Sequence, residues 1–446
     1  MVLLKRGHSY FGRIGHVYFG ITLKMSTEDV TGRIGLSFVW HCMKHFGFSE
    51  MVAKEYGTKK GSNREIGIDR KIMVGALARM SGGDRIEDVE NLRADKGLIN
   101  SLGWEAMVGA DAYGNMLGQK RMNGKLRSVD DAMAVKAMKK SSEMEFTYDN
   151  DATYFDSDKK SAAYSYKKAR QFSGLIGCIA ELGVINTMEF RRGNISPQTG
   201  VLNQLRKAVM QAKAAGKKIK IFRSDSAGHQ NKIFRFCDDE SIDYYISLDK
   251  NEAIKICIGA IKENQWQPLM EKYQARLGTE WAESVYVTNE GVSMRILILR
   301  WANPDPTLFD ESPLCYHVIG TNNNKIKAME WLELHNGRMG SIELSNKEIK
   351  SEFGCDYAPS NEFGKNRGYF LIGVMAYNMM QIMKLFYIGG DAQIKLGMKA
   401  LRFKFINVCG KIIKTGRIFY CKIINVTEEV FEMFRNCKSK LIIVNY

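Results

Sequence analysis

Three acidic side chains, Asp151, Asp225 and Glu343, have the chemistry and the spacing to bind hard divalent cations. Asp151 follows MEFTYDN, where apolar and polar residues alternate as in a half-buried strand. Asp225 follows a second alternating segment, KKIKIFR, and Glu343 lies on a predicted helix. Two cations about 3.5 to 4 Å apart, held by carboxylates from separate elements, can stabilise the attacking and leaving oxygens of a phosphodiester. The pattern is therefore compatible with metal-dependent phosphoryl transfer.

Two stripes run along the helix that carries Glu343. Apolar residues recur with spacings of seven and four, and polar residues with spacings of four and three, so one face packs and the other stays accessible. The apolar stripe is Ile342, Ile349 and Phe353, and the polar stripe is Glu343, Lys347 and Lys350. The lysines could contact DNA phosphates. On periodicity alone, a solvated helix with surface salt bridges is the simpler interpretation.

The elements that must position these residues follow the order strand, strand, strand, helix, strand, helix, strand between residues 141 and 250. FSGLIGCIAE and VINTMEF are close enough to form a hairpin, and a helix ending at Gly216 precedes the strand that leads to Asp225. We predict an α/β fold: a ribonuclease-H-like mixed sheet with flanking helices, formed by residues 141–250 and 325–390.

Three further regions surround this unit. We predict a helical, DNA-binding N-terminal region at 1–140, a strand-rich insertion at 251–324 and a strand-rich C-terminal region at 391–446. In the insertion, Asn289, Glu290 and Gly291 are typical of a hairpin turn. The basic segment 118–140 is compatible with a DNA-contacting helix or with a solvated face. The apolar segment 369–387 includes Asn378, Gln381 and Lys384, which favours a buried core helix over a membrane span.

Composition narrows the classes of function. A net charge of +16 over 446 residues favours a polyanionic partner, although charge can also serve solubility alone. The chain contains neither a glycine-rich phosphate loop ending in Lys-Ser or Lys-Thr nor a G-x-S-x-G sequence, so nucleotide-driven and serine-hydrolase functions lack support. Nine cysteines without a Cys-x-x-Cys pair suit a reducing compartment, and we expect a cytoplasmic, nucleoid-associated protein without membrane contact.

Several tracts, in order, resemble landmarks of insertion-sequence transposases of the Asp-Asp-Glu (DDE) superfamily. FRRGN and RSDS are the most informative, and the likeness runs from about residue 75 to 420. The tracts are SGGDRIEDVENLRAD, YDNDAT, AAYSYKK, FRRGNISP, FRSDSAGH, RMGSIELSNKEIKSEFG and GVMAYNM.

This resemblance implies roles for individual residues. The first family Asp, in a D-x-T motif, corresponds to Asp151, with Asp149 as the nearby contender. The second corresponds to Asp225 in RSDS, and the family Glu corresponds to Glu343. These three are implied as both catalytic and metal-binding residues, with Mg²⁺ as the cofactor and Mn²⁺ able to replace it. The implied DNA-binding residues are Arg338, Lys347 and Lys350.

One departure from the family pattern precedes Glu343. The family has Tyr and Arg seven and four residues before the Glu, whereas His335 and Arg338 stand eight and five residues before it. The resemblance implies cutting and joining of DNA at terminal inverted repeats and target DNA, by a homodimer in a paired-end complex. Two alternatives remain open: a degenerate transposase that only binds DNA, and a metal-dependent nuclease without strand transfer.

Overall fold

A computed structural model of the protein describes residues 12–14, 17–19, 28–57, 66–119, 122–274, 276–304, 313–415 and 418–441. Within the predicted N-terminal region 1–140, residues 1–11, 15–16, 20–27, 58–65 and 120–121 lie outside the described residues. The described part is mostly helical. Its elements are β1 (Gly12–Ile14), β2 (Val17–Phe19), β3 (Val30–Thr31), α1 (Gly35–His45), α2 (Phe48–Tyr56), α3 (Ile68–Met80), α4 (Val89–Arg93), α5 (Lys96–Leu102), α6 (Ala110–Leu117) and α7 (Met122–Lys140).

The basic segment 118–140 folds into α7, and one face of α7 is buried. Leu126, Val129 and Met133 lie in the main hydrophobic core, whereas Lys139 and Lys140 at the end of the helix are exposed. The helix thus contributes to the core, and neither sequence interpretation of the segment had included that packing.

The next part of the chain forms the centre of the sheet. Its elements are β4 (Glu145–Asp156), β5 (Ala163–Tyr164), β6 (Arg170–Ile179), β7 (Val184–Arg192), α8 (Val201–Ala214), β8 (Lys218–Ser224), α9 (Asn231–Asp239) and β9 (Asp243–Ser247). The strands lie in the order β7-β6-β4-β8-β9. β6 is antiparallel to β4 and β7, while β4, β8 and β9 are mutually parallel. This topology confirms the predicted ribonuclease-H-like mixed sheet.

Residues 251–324 extend this same sheet. Their elements are α10 (Glu252–Gly259), β10 (Gln267–Pro268), β11 (Glu280–Val287), β12 (Ser293–Ala302) and β13 (Leu314–Thr321). β13 pairs antiparallel with β9, so the sheet reaches ten strands over the described residues. The predicted turn around Gly291 joins β11 to β12, and the left-handed backbone of Gly291, with φ of 83°, suits such a turn.

The remaining helices cover the sheet and connect it to the N-terminal helices. The elements are α11 (Ala328–Asn336), α12 (Ile342–Phe353), α13 (Phe363–Met383), α14 (Asp391–Ile394), α15 (Met398–Leu401), β14 (Gly410–Thr415), β15 (Ile418–Ile423) and α16 (Glu428–Leu441). Trp331 of α11 packs on Leu297 and Ile319, whose side chains lie on the same face of the extended sheet. α13 packs against α3, α7 and β7.

The apolar segment is a core helix, as predicted. One helix among the described residues, Phe363–Ile388, is long and apolar enough to cross a membrane, but 83% of its most apolar window is buried inside the protein. Asn378, a polar residue of this helix, donates to both carboxylate oxygens of the buried Asp130 at 3.0 and 3.2 Å. Packing inside the protein thus accounts for the apolar composition of this helix.

One prediction for the C-terminal region is wrong. LRFKFI lies in the region 391–446 that the sequence predicts to be strand-rich, but it forms the end of α15 and a π-helical turn from Arg402 to Ile406. Phe405 and Ile406 are buried whereas Phe403 is exposed, so this turn packs one side on the core. The strands β14 and β15 follow as predicted, and α16 ends the described chain.

Candidate active site

Two aspartates lie on the same face of β4 because side chains two residues apart in a strand point to the same side. Asp149 is fully buried, and its oxygens accept hydrogen bonds from Arg223 Nε at 2.6 Å and Nη2 at 2.7 Å. Ser341 Oγ also donates to Asp149. Asp151 lies closer to solvent, with 21% of its side chain exposed. Asp149 is thus held in a buried ion pair, and Asp151 is the accessible aspartate.

The second carboxylate lies beside the first because their strands are parallel neighbours. The register pairs Asp149 with Arg223 and Asn150 with Ser224, so Asp151 and Asp225 are the next residues on the two strands. Asp225 immediately follows β8, where its Oδ1 accepts a hydrogen bond from the backbone N–H of Ala227 at 3.0 Å. The structure thus brings these two predicted site residues together.

Glu343 reaches this site from the first turn of α12, and its side chain is exposed. Burial raises the pKa of Asp151 to about 6, Arg338 opposes that rise, and the negative charges of Asp225 and Glu343 add to it. Asp151 is therefore close enough to both other carboxylates to be repelled by them, and a bound cation would relieve this repulsion.

Asp151 is positioned by two residues that precede and follow Glu343. Asn346 Nδ2 donates to Asp151 Oδ2 at 2.8 Å, and Arg338 Nη2 lies 3.7 Å from Asp151 Oδ1. Asn346 is three residues after Glu343 on α12, so both side chains point toward the same edge of the sheet. Sequence reasoning missed Asn346, although this three-residue spacing is a signal that could have identified it.

The irregularly spaced segment before Glu343 contains a turn between two helices. A short 3₁₀ turn, Gly337–Gly340, separates α11 from α12, and this turn carries Arg338 to Asp151. His335 is at the end of α11, where its Nε2 lies 3.0 Å from Ser247 Oγ. Burial lowers the pKa of His335 to about 3, with His317 and Arg338 contributing, so the imidazole is neutral at physiological pH.

The three predicted DNA-binding residues occupy different environments. Arg338 is buried beside Asp151, Lys347 is exposed on α12, and Lys350 is half-buried with its Nζ donating to the Tyr154 carbonyl at 2.7 Å. Lys347 thus presents its charge to solvent, whereas Arg338 presents its charge to a carboxylate of the site. DNA contact by these residues stays a prediction.

The sequence pattern of the family described as Transposase DDE domain group 1 matches residues 18–441, nearly the full length of 446 residues. The chain belongs to this family. The resemblance to DDE transposases stated from the sequence tracts is thereby confirmed. No curated protein matches this DDE transposase chain.

Seven chains of solved structures match this member of the family. One is titled "Cryo-EM structure of piggyBac transposase synaptic complex with hairpin DNA (SNHP)". It is 9% identical in sequence, with a TM-score of 0.41, and the match covers 93% of the present chain and 83% of that chain. The strand order described above, rather than this distant likeness, supports the ribonuclease-H-like fold.

DDE transposases generally use divalent metal ions, and the donor set here fits such ions. Asp151, Asp225 and Glu343 offer the carboxylate oxygens that Mg²⁺ and Mn²⁺ prefer, and the repulsion of Asp151 by the other two favours a cation. Among the described residues, no three His, Cys, Asp or Glu side chains are grouped as a formed metal site.

Proposed function

We propose that this member of the DDE transposase family is an active enzyme that cuts and joins DNA strands at the ends of a mobile element. The observation that carries the proposal is the adjacency of Asp151 and Asp225 at neighbouring parallel strands, with Glu343 close enough to raise the pKa of Asp151. The repulsion of Asp151 by two other carboxylates is unfavourable in a purely structural role, whereas a site for metal-dependent phosphoryl transfer requires carboxylates close together.

Each carboxylate comes from a different element. Asp151 on β4 and Asp225 after β8 are held on the rigid sheet, and Glu343 comes from the accessible first turn of α12. Together these residues would hold Mg²⁺, with Mn²⁺ as a substitute. Bound ions would supply a nucleophile at neutral pH and stabilise charge on the phosphoryl oxygens.

Arg338 and Asn346 are positioning residues for Asp151. The Arg338 guanidinium lowers the pKa of Asp151 against the effect of burial, and the Asn346 amide fixes the orientation of the carboxylate. With a pKa of about 6 in the absence of a cation, Asp151 is mostly ionised at neutral pH and can accept a metal ion there. Arg338 thus favours the charged form of this carboxylate, and Asn346 fixes its orientation.

DNA is the substrate that the charge of the chain supports. The net charge of +16 attracts a polyanion, and Lys347 is placed on the exposed face of the helix that carries Glu343. In the same proposal, the protein binds terminal inverted repeats and target DNA. It assembles as a homodimer in a paired-end complex and is located in the cytoplasm, associated with the nucleoid.

The test is an assay of cleavage and joining on DNA that carries the element's own flanking repeats, with Mg²⁺, Mn²⁺ or EDTA. The wild type should cut and join with either metal ion and fail in EDTA. Asp225→Asn should bind the repeats without cutting, whereas Glu271→Gln, at an exposed glutamate of the 251–324 segment, should behave as wild type.

Other products would select an alternative function. Cut ends without joined products would support a metal-dependent nuclease. Binding of the repeats without cleavage by the wild type would support a DNA-binding relic of a transposase. Equal cleavage by wild type and Asp225→Asn would contradict the assignment of Asp225.

A further inference from the structure

The connection from β4 to β6 presents two aromatic rings to solvent. Tyr164 is 72% exposed and Tyr166 is 68% exposed, although tyrosine rings usually bury much of their surface. Tyr166 lies against Tyr154 in an edge-to-face contact, with ring centroids 5.5 Å apart. Their outer surfaces therefore remain available to a ligand.

The turn that carries these rings is held by hydrogen bonds. The backbone N–H of Ser165 donates to the Ala169 carbonyl at 2.9 Å, and that of Lys168 donates to the Ser165 carbonyl at 3.0 Å. Ser165 Oγ donates to Gln171 Oε1 at 2.5 Å, which fixes the turn to β6. The rings are thus presented on an ordered turn. The protein therefore loses less conformational entropy when a ligand binds.

Positive charge lies next to the rings. Lys167 Nζ lies 5.4 Å from the Tyr154 ring centroid and 5.8 Å from that of Tyr166. The same connection, residues 157–169, contains one acidic residue, Asp158, and four lysines. The lysines are Lys159, Lys160, Lys167 and Lys168. The lysines outnumber this acidic residue, so this turn carries a net positive charge and attracts a ligand that bears phosphate groups.

The surface adjoins the carboxylates through Lys350 and Tyr154. Lys350 Nζ donates to the Tyr154 carbonyl, and Tyr154 is three residues beyond Asp151 on β4. Burial lowers the pKa of Lys350, the charge of Lys167 lowers it further, and the charge of Asp151 raises it. Lys350 thus lies in the electrostatic field of both the turn and the site.

We infer that Tyr164 and Tyr166, flanked by Lys167 and Lys168, form a stacking surface for unpaired DNA bases beside the carboxylate site. This inference rests on the proposed function, and it specifies the kind of DNA held there. Lysines alone suffice to hold a paired duplex through its phosphates, whereas exposed aromatic rings add affinity where base faces are uncovered.

The experiment measures binding of a mixed-sequence single-stranded oligonucleotide and of the blunt duplex of the same sequence, both containing 2-aminopurine. The variants are Tyr164→Ala, Tyr166→Ala and Tyr166→Phe, and Tyr420→Ala is the matched control at an exposed tyrosine of β15. Each alanine change in the turn should weaken single-strand binding about 5- to 150-fold, the range for loss of one base–aromatic stack. Tyr166→Phe, Tyr420→Ala and all duplex affinities should stay within about twofold, because stacking requires only a ring and an open base face.

The outcomes separate the stacking surface from the proposed function. If the wild type cleaves DNA with Mg²⁺ but the alanine variants bind single strands as tightly as it does, the stacking surface is refuted and the proposed function stands. Equal losses on duplex and single strand would also refute it. Selective loss of single-strand binding in a protein that never cleaves DNA would support the surface and refute the proposed enzyme. Thermal denaturation of each variant checks that the fold is intact.

Discussion

Replacing Asp149 or Asp151 by Asn should change the stability of the protein in opposite directions, although the two residues lie two positions apart on β4. Asp149→Asn removes the carboxylate that pairs with Arg223, and both side chains are buried, at 0% and 7% exposure. An unpaired buried charge typically costs about 3 to 5 kcal/mol. Asp149→Asn should therefore lower the free energy of unfolding by that amount at pH 7.5.

Asp151→Asn removes a carboxylate that the folded protein disfavours. Its pKa rises from the 3.8 of a solvated aspartate to about 6, and at about 1.4 kcal/mol per pH unit this corresponds to roughly 3 kcal/mol. Because the folded state binds the proton more tightly, the wild type loses this stability as the pH rises from about 4 to about 6. The variant should therefore be up to about 3 kcal/mol more stable at pH 7.5, with about half of the difference present at pH 5.

Urea denaturation of the full chain, followed by tryptophan fluorescence at pH 5 and 7.5, measures both effects. The Asp151→Asn variant serves as the matched control for the same chemical change at Asp149. The assignment of Asp149 to structure and Asp151 to the site would be refuted if Asp149→Asn left the unfolding midpoint unchanged while Asp151→Asn lowered it.

Three other perturbations test neighbouring parts of the structure. Gly337→Ala places a Cβ against the guanidinium of Arg223 and should lower the free energy of unfolding in urea by about 1 to 3 kcal/mol. Gly340→Ala is the control and should be neutral, because the space around its Cβ is open. Equal effects of the two changes would exclude the clash with Arg223. Lys347→Ala should weaken DNA binding by a similar factor for all sequences and should reduce the slope of log affinity against log salt concentration by about 1. Fluorescence anisotropy measures both effects, and an unchanged slope would show that Lys347 does not contact DNA. Burial raises the pKa of Asp130 to about 8, so Asp130→Asn should become increasingly stabilising relative to wild type between about pH 4 and 8; a pH-independent difference in unfolding free energy would contradict this.

The sequence predicts much of the central sheet because its signals are local. Alternating residues mark β4 and β8, and the short gap between β6 and β7 marks a hairpin. The register between β4 and β8 is not local, since it depends on packing of helices against both faces. The pairing of β13 with β9 likewise joins segments that sequence reading assigned to separate domains.

The site shows the same division. Asp151 and Asp225 are recognisable as acidic residues at predicted strand ends, and Glu343 is singled out by the resemblance to DDE transposases, whereas the neighbours of these residues depend on the fold. The Arg223–Asp149 pair is invisible in the sequence because an arginine before the RSDS aspartate gives no signal of burial. Asn346, by contrast, lies three residues after Glu343, a spacing that places both on one side of a helix. This spacing becomes informative only once the structure shows that Asp151 lies beside that side of the helix.

The central claim is that Asp151, Asp225 and Glu343 form one metal-dependent catalytic site, and the most direct measurement is strand cleavage by Glu343→Gln. Wild type and variant would be bound to the same repeat DNA and started with Mg²⁺, with EDTA as the blank. The account predicts equal DNA binding, Mg²⁺-dependent cleavage by the wild type and no cleavage by the variant. Cleavage by Glu343→Gln at the wild-type rate would contradict it.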